Sequence, residues 1–600
     1  MLMILSLATV CLAAPPRASV DDLRPGQTGF GLTVFRGTVP DTFGVTILGV
    51  QRGLRVGGDV ILAELSGHGL ETSAVAQGMS GSPVFLDDGR FLGAVAFGWA
   101  GALRPVAGIT PVAELDLVRD RRDVALAWAD IPEVIDPAAL LGQPAAGHLT
   151  AAFLPEFDAP KPRLPQPART WPSPEDLARS LVSTPAPDDR ELPLSVFVVS
   201  AGASNTAVTT PASLVPGGAC AVSLVLGDAQ LGAIGTVSLV EGDRMVCMGH
   251  PFMQFGPVEL PLSTAEIITL FPSREMSFKM GAAGVPVGRI THDQRAGLAG
   301  DLGVAARTTT VDVDLELPQG RRQYHFEVAR HAVLTPQLVF WCLYNSLLAE
   351  GDDRSQQLVR YELDLELSAA DGRHLDPITL TGVTGGPGGV AALTADWQAP
   401  VQILMGNRHV RVSVEHVQAR LEVERPVQVL SIAGLQAPNR LVPGQPFTVS
   451  VDLERRHGQV ERQTFQLIAP ASLPNGPMRL GVGSAREFFN FDAARARGLF
   501  TDHTLETTVE LLNRPRNLDE LVVALVTPER GFTAGGRELA QLPGSVRSTL
   551  ASGPPQAMAR TQASYILRQA RRLDALIVGT AVQDLIVAPQ RPIHTEGDRP

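Results

Sequence analysis

Along the first hundred residues the apolar positions come in short alternating or continuous runs cut by Gly, Pro or Asp. "GFGLTVF" (29–35), "TFGVTILGV" (42–50), "DVILAEL" (59–65), "PVFL" (83–86) and "RFLGAVAFGW" (90–99) are rich in β-branched and aromatic residues, so they predict strands. Their close spacing predicts a barrel or a sandwich. From 131 to 190 the pattern gives way to Pro- and Ala-rich sequence, which reads as an extended linker with one short helix at "PEDLARSL". Strand-like runs return at "LSVFVVSAG", "CAVSLVLGDAQLGAIGTVSLVEGDRMVCMGHPF" and "MSFKMGAAGVPVGRITHDQRAGLAGDLG", with "STAEIITLF" the one helix-like insert.

Beyond residue 305, "TTTVDVDLEL", "QYHFEVA" and "VRYELDLELS" alternate strictly, as antiparallel strands with one wet face do. "TPQLVFWCLYNSLLAEG" and "VAALTADWQAPVQILMGN" read as helices beside that sheet. "VQVLSIAGLQAPNRLVPGQPFTVSVDLERR" opens a third β region of sandwich type. "ARTQASYILRQARRLDALIVG" reads as an amphipathic helix ahead of a polar tail. The resulting division is a signal peptide at 1–17, a first β lobe at 20–130, the linker at 131–190, and a second β lobe at 191–310. A β-rich domain with helices (311–426), a sandwich-like domain (427–550) and a C-terminal helix and tail (551–600) complete the chain.

Composition agrees with several folded, β-rich domains. With 44% hydrophobic residues, 19% charged, 58 Gly and 47 Pro, the 600 residues exceed what one core supports. A net charge of −12 without basic runs argues against a nucleic-acid partner. The opening "MLMILSLATVCLAAPPRAS" has the apolar stretch and small residues of an export signal and predicts a periplasmic or extracellular protein, with lipid anchoring through Cys11 as the alternative. No later segment is apolar for long enough to span a bilayer. Cys220, Cys247 and Cys342 lack zinc-site spacing and read as buried free thiols, a Cys220–Cys247 disulfide being the alternative. The histidines are scattered, so no metal site and no cofactor are expected.

Chemistry concentrates in "GMSGSP" (78–83). Glycines flanking Ser80 allow a sharp turn that exposes a nucleophilic hydroxyl and aims the Gly78 and Ser80 amides at a developing oxyanion. A serine of this kind needs a base. His250 in "CMGHPF", set between Gly249 and Pro251 after an apolar strand, is the best placed.

Residues 22 to 118, with "LRPGQTGFGLTVFRGTVPDTFGVTILGV", "AQGMSGSPVFLDDGRFLGAVAFGW" and "GITPVAEL", resemble the serine-bearing half of the SpoIVB family of serine peptidases. Residues 235 to 305, with "GTVSLVEGDRMVCMGHPF" and "FKMGAAGVPVGRITHDQRAGLAGDLG", resemble its histidine-bearing half. The resemblance implies a mainly β, two-lobed, chymotrypsin-like barrel core acting on protein or peptide substrates, the chain itself included, with Ser80 as nucleophile and His250 as base. Here the serine half comes first, so the lobes are permuted in sequence. The family carries an aspartate about fifteen residues before its serine; that position falls on Leu65 here, Glu64 can serve as the acid by a one-residue shift, and Asp243 is a second candidate. No PDZ module is recognisable. The later β modules read as packing elements or as a surface for an envelope partner. A catalytically idle binding scaffold is the competing reading.

Overall fold

The computed structural model describes residues 15–122, 192–201 and 214–588 together with Leu149 and Phe153, less short gaps at 56–57, 194–195, 275, 350–357, 386–392, 408–409, 425–427, 456–457, 501–503, 515, 529–530, 540–541 and 552–558. The predicted signal peptide, apart from residues 15–17, lies outside these, as do the "PEDLARSL" helix and most of the 131–190 linker. The protein is mainly β. It divides into two units, one of residues 1–130, 166–309 and 325–338, the other of 131–165, 310–324 and 339–600.

The first unit begins with six strands: β1 (Thr28–Thr33), β2 (Asp41–Arg55), β3 (Gly58–Ser66), β4 (Pro83–Leu86), β5 (Phe91–Gly98) and β6 (Val106–Pro111). Their order β4-β1-β2-β3-β6-β5 returns to β4, so the six close into a ring. Alternation decides what fills it. Phe43, Val45 and Ile47 of β2, Ile61, Ala63 and Leu65 of β3, and Ala107 and Ile109 of β6 point inward to one core, while their neighbours face out. Helix α1 (Val112–Arg119) follows and buries Val112, Leu115 and Val118.

Two short outer strands, β7 (Leu192–Pro193) and β8 (Val196–Ala201), lead to a second set: β9 (Ala219–Gly227), β10 (Ala229–Glu241), β11 (Arg244–Cys247), β12 (Gly256–Phe271), β13 (Phe278–Gln294) and β14 (Gly297–Leu302). The order β9-β12-β13-β14-β11-β10 closes through β9–β10, a second ring of six. β7 lies antiparallel on β5 and β8 on β10. The helix expected at "STAEIITLF" is instead the far end of β12. Its pairing with β13, from Gly256↔Asp293 to Phe271↔Phe278, outweighs the helical propensity of Ala265 and Glu266.

The second unit contains further β strands and several helices. Thr308–Leu317 runs parallel to Val412–Glu424, which pairs antiparallel with Leu358–Ala369; that strand pairs in turn with Ile378–Gly385. The helix expected at 335–351 is found as Leu334–Ala349. Farther on, strands around Pro446–Arg455 and around Gly476–Ser484 form two sheets over a common core that includes Val449, Leu453, Phe465, Leu480 and Val523. The expected C-terminal helix is a strand, Ser564–Arg572, paired with Glu520–Thr527. The 131–190 segment is not wholly a free linker, because Leu149 and Phe153 are buried beside Phe488 and Phe491.

Candidate active site

The serine turn is held in shape from both rings of the first unit. Gly78 (φ +88°) and Gly81 (φ +92°) take left-handed conformations that favour glycine, and Met79 between them is buried in the first ring's core. On the near side Gly81 N donates to Val95 O (2.7 Å), Val95 N to Ser82 O (2.9 Å), and the Ser82 hydroxyl to Met79 O (2.6 Å). From β10, Thr236 N donates to Ser80 O (2.7 Å) and Thr236 Oγ1 to Gly78 O (2.9 Å). No side chain fits at residue 81, since a Cβ there would run into Thr236 O and lie 2.5 Å from Met248 N. Among the described residues neither the Gly78 nor the Ser80 amide donates to a protein acceptor.

His250 arrives on the same seam. After β11 the backbone turns through Met248 (φ +66°) and Gly249 (φ +67°), a left-handed pair that costs energy at a methionine and marks a constrained site. Met248 N donates to Thr236 O (3.2 Å), and the Thr110 hydroxyl donates to Gly249 O (2.6 Å). The imidazole centroid lies 6.3 Å from that of Phe97 on β5. His250 Nδ1 is 2.7 Å from Pro251 O. A carbonyl only accepts, so Nδ1 carries a proton.

Asp293 of β13 organises the chain beyond. Its Oδ1 accepts from Phe252 N (2.8 Å) and its Oδ2 from Met253 N (2.7 Å) and Phe255 N (3.4 Å). Burial pushes its carboxyl above the usual range, partly offset by these backbone donors.

Behind the serine turn lies a buried cation. Lys279 of β13 packs its methylenes against Gly78, and its Nζ donates to Thr33 Oγ1 (2.6 Å). Thr33 Oγ1 is 3.3 Å from Thr236 Oγ1. Because the Gly78 carbonyl can only accept, the direction of the chain is set: Thr236 donates to Gly78, Thr33 to Thr236, and Lys279 to Thr33. Burial lowers the Lys279 pKa to about 7. Cys220 and Cys247 are buried and free, as is Cys342, and a thiol hydrogen bond between the first two raises the Cys247 pKa, with burial adding to it.

Of the residues singled out in the sequence, Ser80, Gly78 and His250 are brought together, their two loops sharing Val95 and Thr236 as neighbours. Ser80 and His250 are fully buried, and Ser80 Oγ makes no hydrogen bond to a described residue, His250 included. Glu64 is not the acid. It lies on the outward face of β3, opposite the buried Leu65, and both its oxygens are taken by Arg104. Asp243 stands exposed in the β10–β11 turn. Asp293, Thr236 and Lys279 were not singled out from the sequence; the signal for Lys279 was a charge inside the apolar run "FKMGAAG". Among the described residues no His, Cys, Asp and Glu side chains group as metal ligands, and no helix is long and apolar enough to cross a membrane. No family model, curated protein or solved structure matches this chain.

Proposed function

We propose that the first unit is a serine peptidase of SpoIVB type, its two rings acting as chymotrypsin-like lobes in permuted order. Ser80 is the nucleophile, His250 the general base, and the Gly78 and Ser80 amides the oxyanion donors. One observation carries the reading: two loops some 170 residues apart in sequence, each suspected of chemistry, meet on one seam between two closed rings, with the serine hydroxyl and both amides left without partners among the described residues. A buried hydroxyl without a partner costs about 1–3 kcal/mol, so its retention points to a role beyond packing. The unmade Ser80–His250 hydrogen bond is compatible with chemistry, because such bonds often tighten only when substrate is bound. A peptide substrate is favoured over a small ester because the edge of β5 at Phe97 and Gly98 already takes an extended segment, Leu192–Pro193, as an added strand. The apolar N-terminal segment supports action outside the cytoplasm.

In the mechanism this geometry supports, Nε2 of His250 takes the Ser80 proton as Oγ attacks the scissile carbonyl, and the oxyanion settles on the two amides. The same imidazole then protonates the leaving amine, and water resolves the acyl-enzyme. Cleavage of an unfolded protein substrate by the full chain, abolished in Ser80→Ala, tests the reading. Equal cleavage by both proteins counts against it. The full burial of Ser80 favours the second reading, an idle scaffold, and under it a correctly folded chain cleaves nothing.

A further inference from the structure

We propose that Asp293 is the positioning acid of this site and acts on His250 through a single peptide group, that between Pro251 and Phe252. This rests on the reading of Ser80 and His250 as a reactive pair. The carbonyl of that peptide accepts the His250 Nδ1 proton at 2.7 Å, and its N–H donates to Asp293 Oδ1 at 2.8 Å. The peptide is one rigid, conjugated plane, so a carboxylate that fixes the N–H end also fixes the carbonyl end. Accepting at Asp293 polarises the amide and makes the Pro251 oxygen a stronger acceptor, as in any chain of hydrogen bonds at low dielectric.

The carboxylate holds Met253 N and Phe255 N as well, so the loop leaving His250 has little freedom to carry that carbonyl away. The arrangement performs the two tasks of a triad acid: it selects the Nδ1–H tautomer and places negative charge where an imidazolium will form. It needs no carboxylate in contact with the ring, which accounts for the lack of an aspartate where the SpoIVB pattern calls for one.

Asp293→Asn keeps the shape and removes the charge; its one oxygen can still accept from one backbone N–H, while its NH2 end confronts another that it can only repel. The imidazolium is then less stabilised, so the His250 pKa falls. The acidic limb of fluorophosphonate labelling against pH, which requires neutral His250, moves to lower pH, and the plateau rate drops by about ten- to a hundredfold. The other titratable groups near the seam are Cys220 and Cys247, Lys279 at Thr33, and His292, which turns to Arg244. All are common to both proteins; the Asp293 charge also raises the Cys247 thiol, which titrates on the alkaline side, so the acidic limb is the part of the profile that isolates the effect on His250.

The test uses the full chain with nitrogen-labelled histidine, His250 being assigned by its loss in His250→Gln. Long-range nitrogen–proton spectra are expected to show the Nδ1–H tautomer in the wild type and a mixture with a lowered pKa in Asp293→Asn. An Nε2–H tautomer in the wild type overturns the proposal without recourse to any variant. So does a folded Asp293→Asn chain with unchanged tautomer, pKa and labelling profile. If the spectra behave as expected while wild-type Ser80 is never labelled, the relay stands and the peptidase reading falls. If Ser80 is labelled and Asp293→Asn alters nothing, the reverse holds.

Discussion

Thr236 grips the Gly78 carbonyl through its hydroxyl at 2.9 Å while its amide grips the Ser80 carbonyl at 2.7 Å, so one residue of the second ring holds the Gly78–Met79 and Ser80–Gly81 peptide planes, the neighbours of those that carry the proposed oxyanion amides. Thr236→Val keeps the shape and the backbone bond but leaves the Gly78 carbonyl unpaired and its peptide plane held at the Met79 N–H end alone, by Ala76 O. Labelling of Ser80 by a fluorophosphonate should slow by about tenfold or more, and urea denaturation should show a loss of about 1–3 kcal/mol, the cost of an unmet buried acceptor. Labelling at the wild-type rate would mean that the turn holds its shape without the clamp.

Lys279 makes stability depend on pH in a definite direction. Burial brings its pKa down to about 7 in the folded protein from the ordinary 10.5 of a lysine, so between these limits the unfolded chain binds the extra proton. Stability therefore rises with pH across that window, and at pH 7 and below the full cost of burying the ammonium is felt. The gain is roughly 3–5 kcal/mol at most. In Lys279→Met the gain disappears, and the difference between the two proteins in urea unfolding at pH 7, 8, 9 and 10 measures it. A constant difference would show that the buried amine keeps its proton across this range, as the unfolded chain does.

Gly81→Ala adds a single methyl group where the backbone is left-handed and Thr236 O occupies the space. Strain and clash together should cost at least about 2 kcal/mol, seen as a lowered thermal midpoint, with the seam between the rings opening first. An unchanged midpoint would contradict the close approach of the two rings at this point.

Glu64→Gln should leave Ser80 labelling within about twofold of wild type, because the carboxylate serves Arg104 on the outer face of β3 and an exposed pair of this kind contributes little. A large loss of labelling would return Glu64 to the site.

What could be read from the sequence divides along physical lines. The strands of the first ring were legible because Phe43, Val45, Ile47 and their counterparts repeat with the period of a half-buried strand. Ser80 and His250 were legible because glycines at 78, 81 and 249 announce backbone that only special turns require. Asp293 was not, since its partner is an amide 41 residues away and no spacing rule describes contact through a peptide group. "STAEIITLF" and "SYILRQARR" misled for a related reason: local propensity favoured helix, and long-range strand pairing decided otherwise. Glu64 misled because a shift of one residue along a strand turns a side chain to the other face.

The central claim is that Ser80 is activated by His250, and a fluorophosphonate reaction of the full chain, mapped by mass spectrometry, tests it most directly. The account predicts an adduct on Ser80 in the wild type, absent in Ser80→Ala and slowed by a factor of about 100 or more in a folded His250→Ala. An adduct on another residue, or labelling of Ser80 at the same rate without His250, would contradict it.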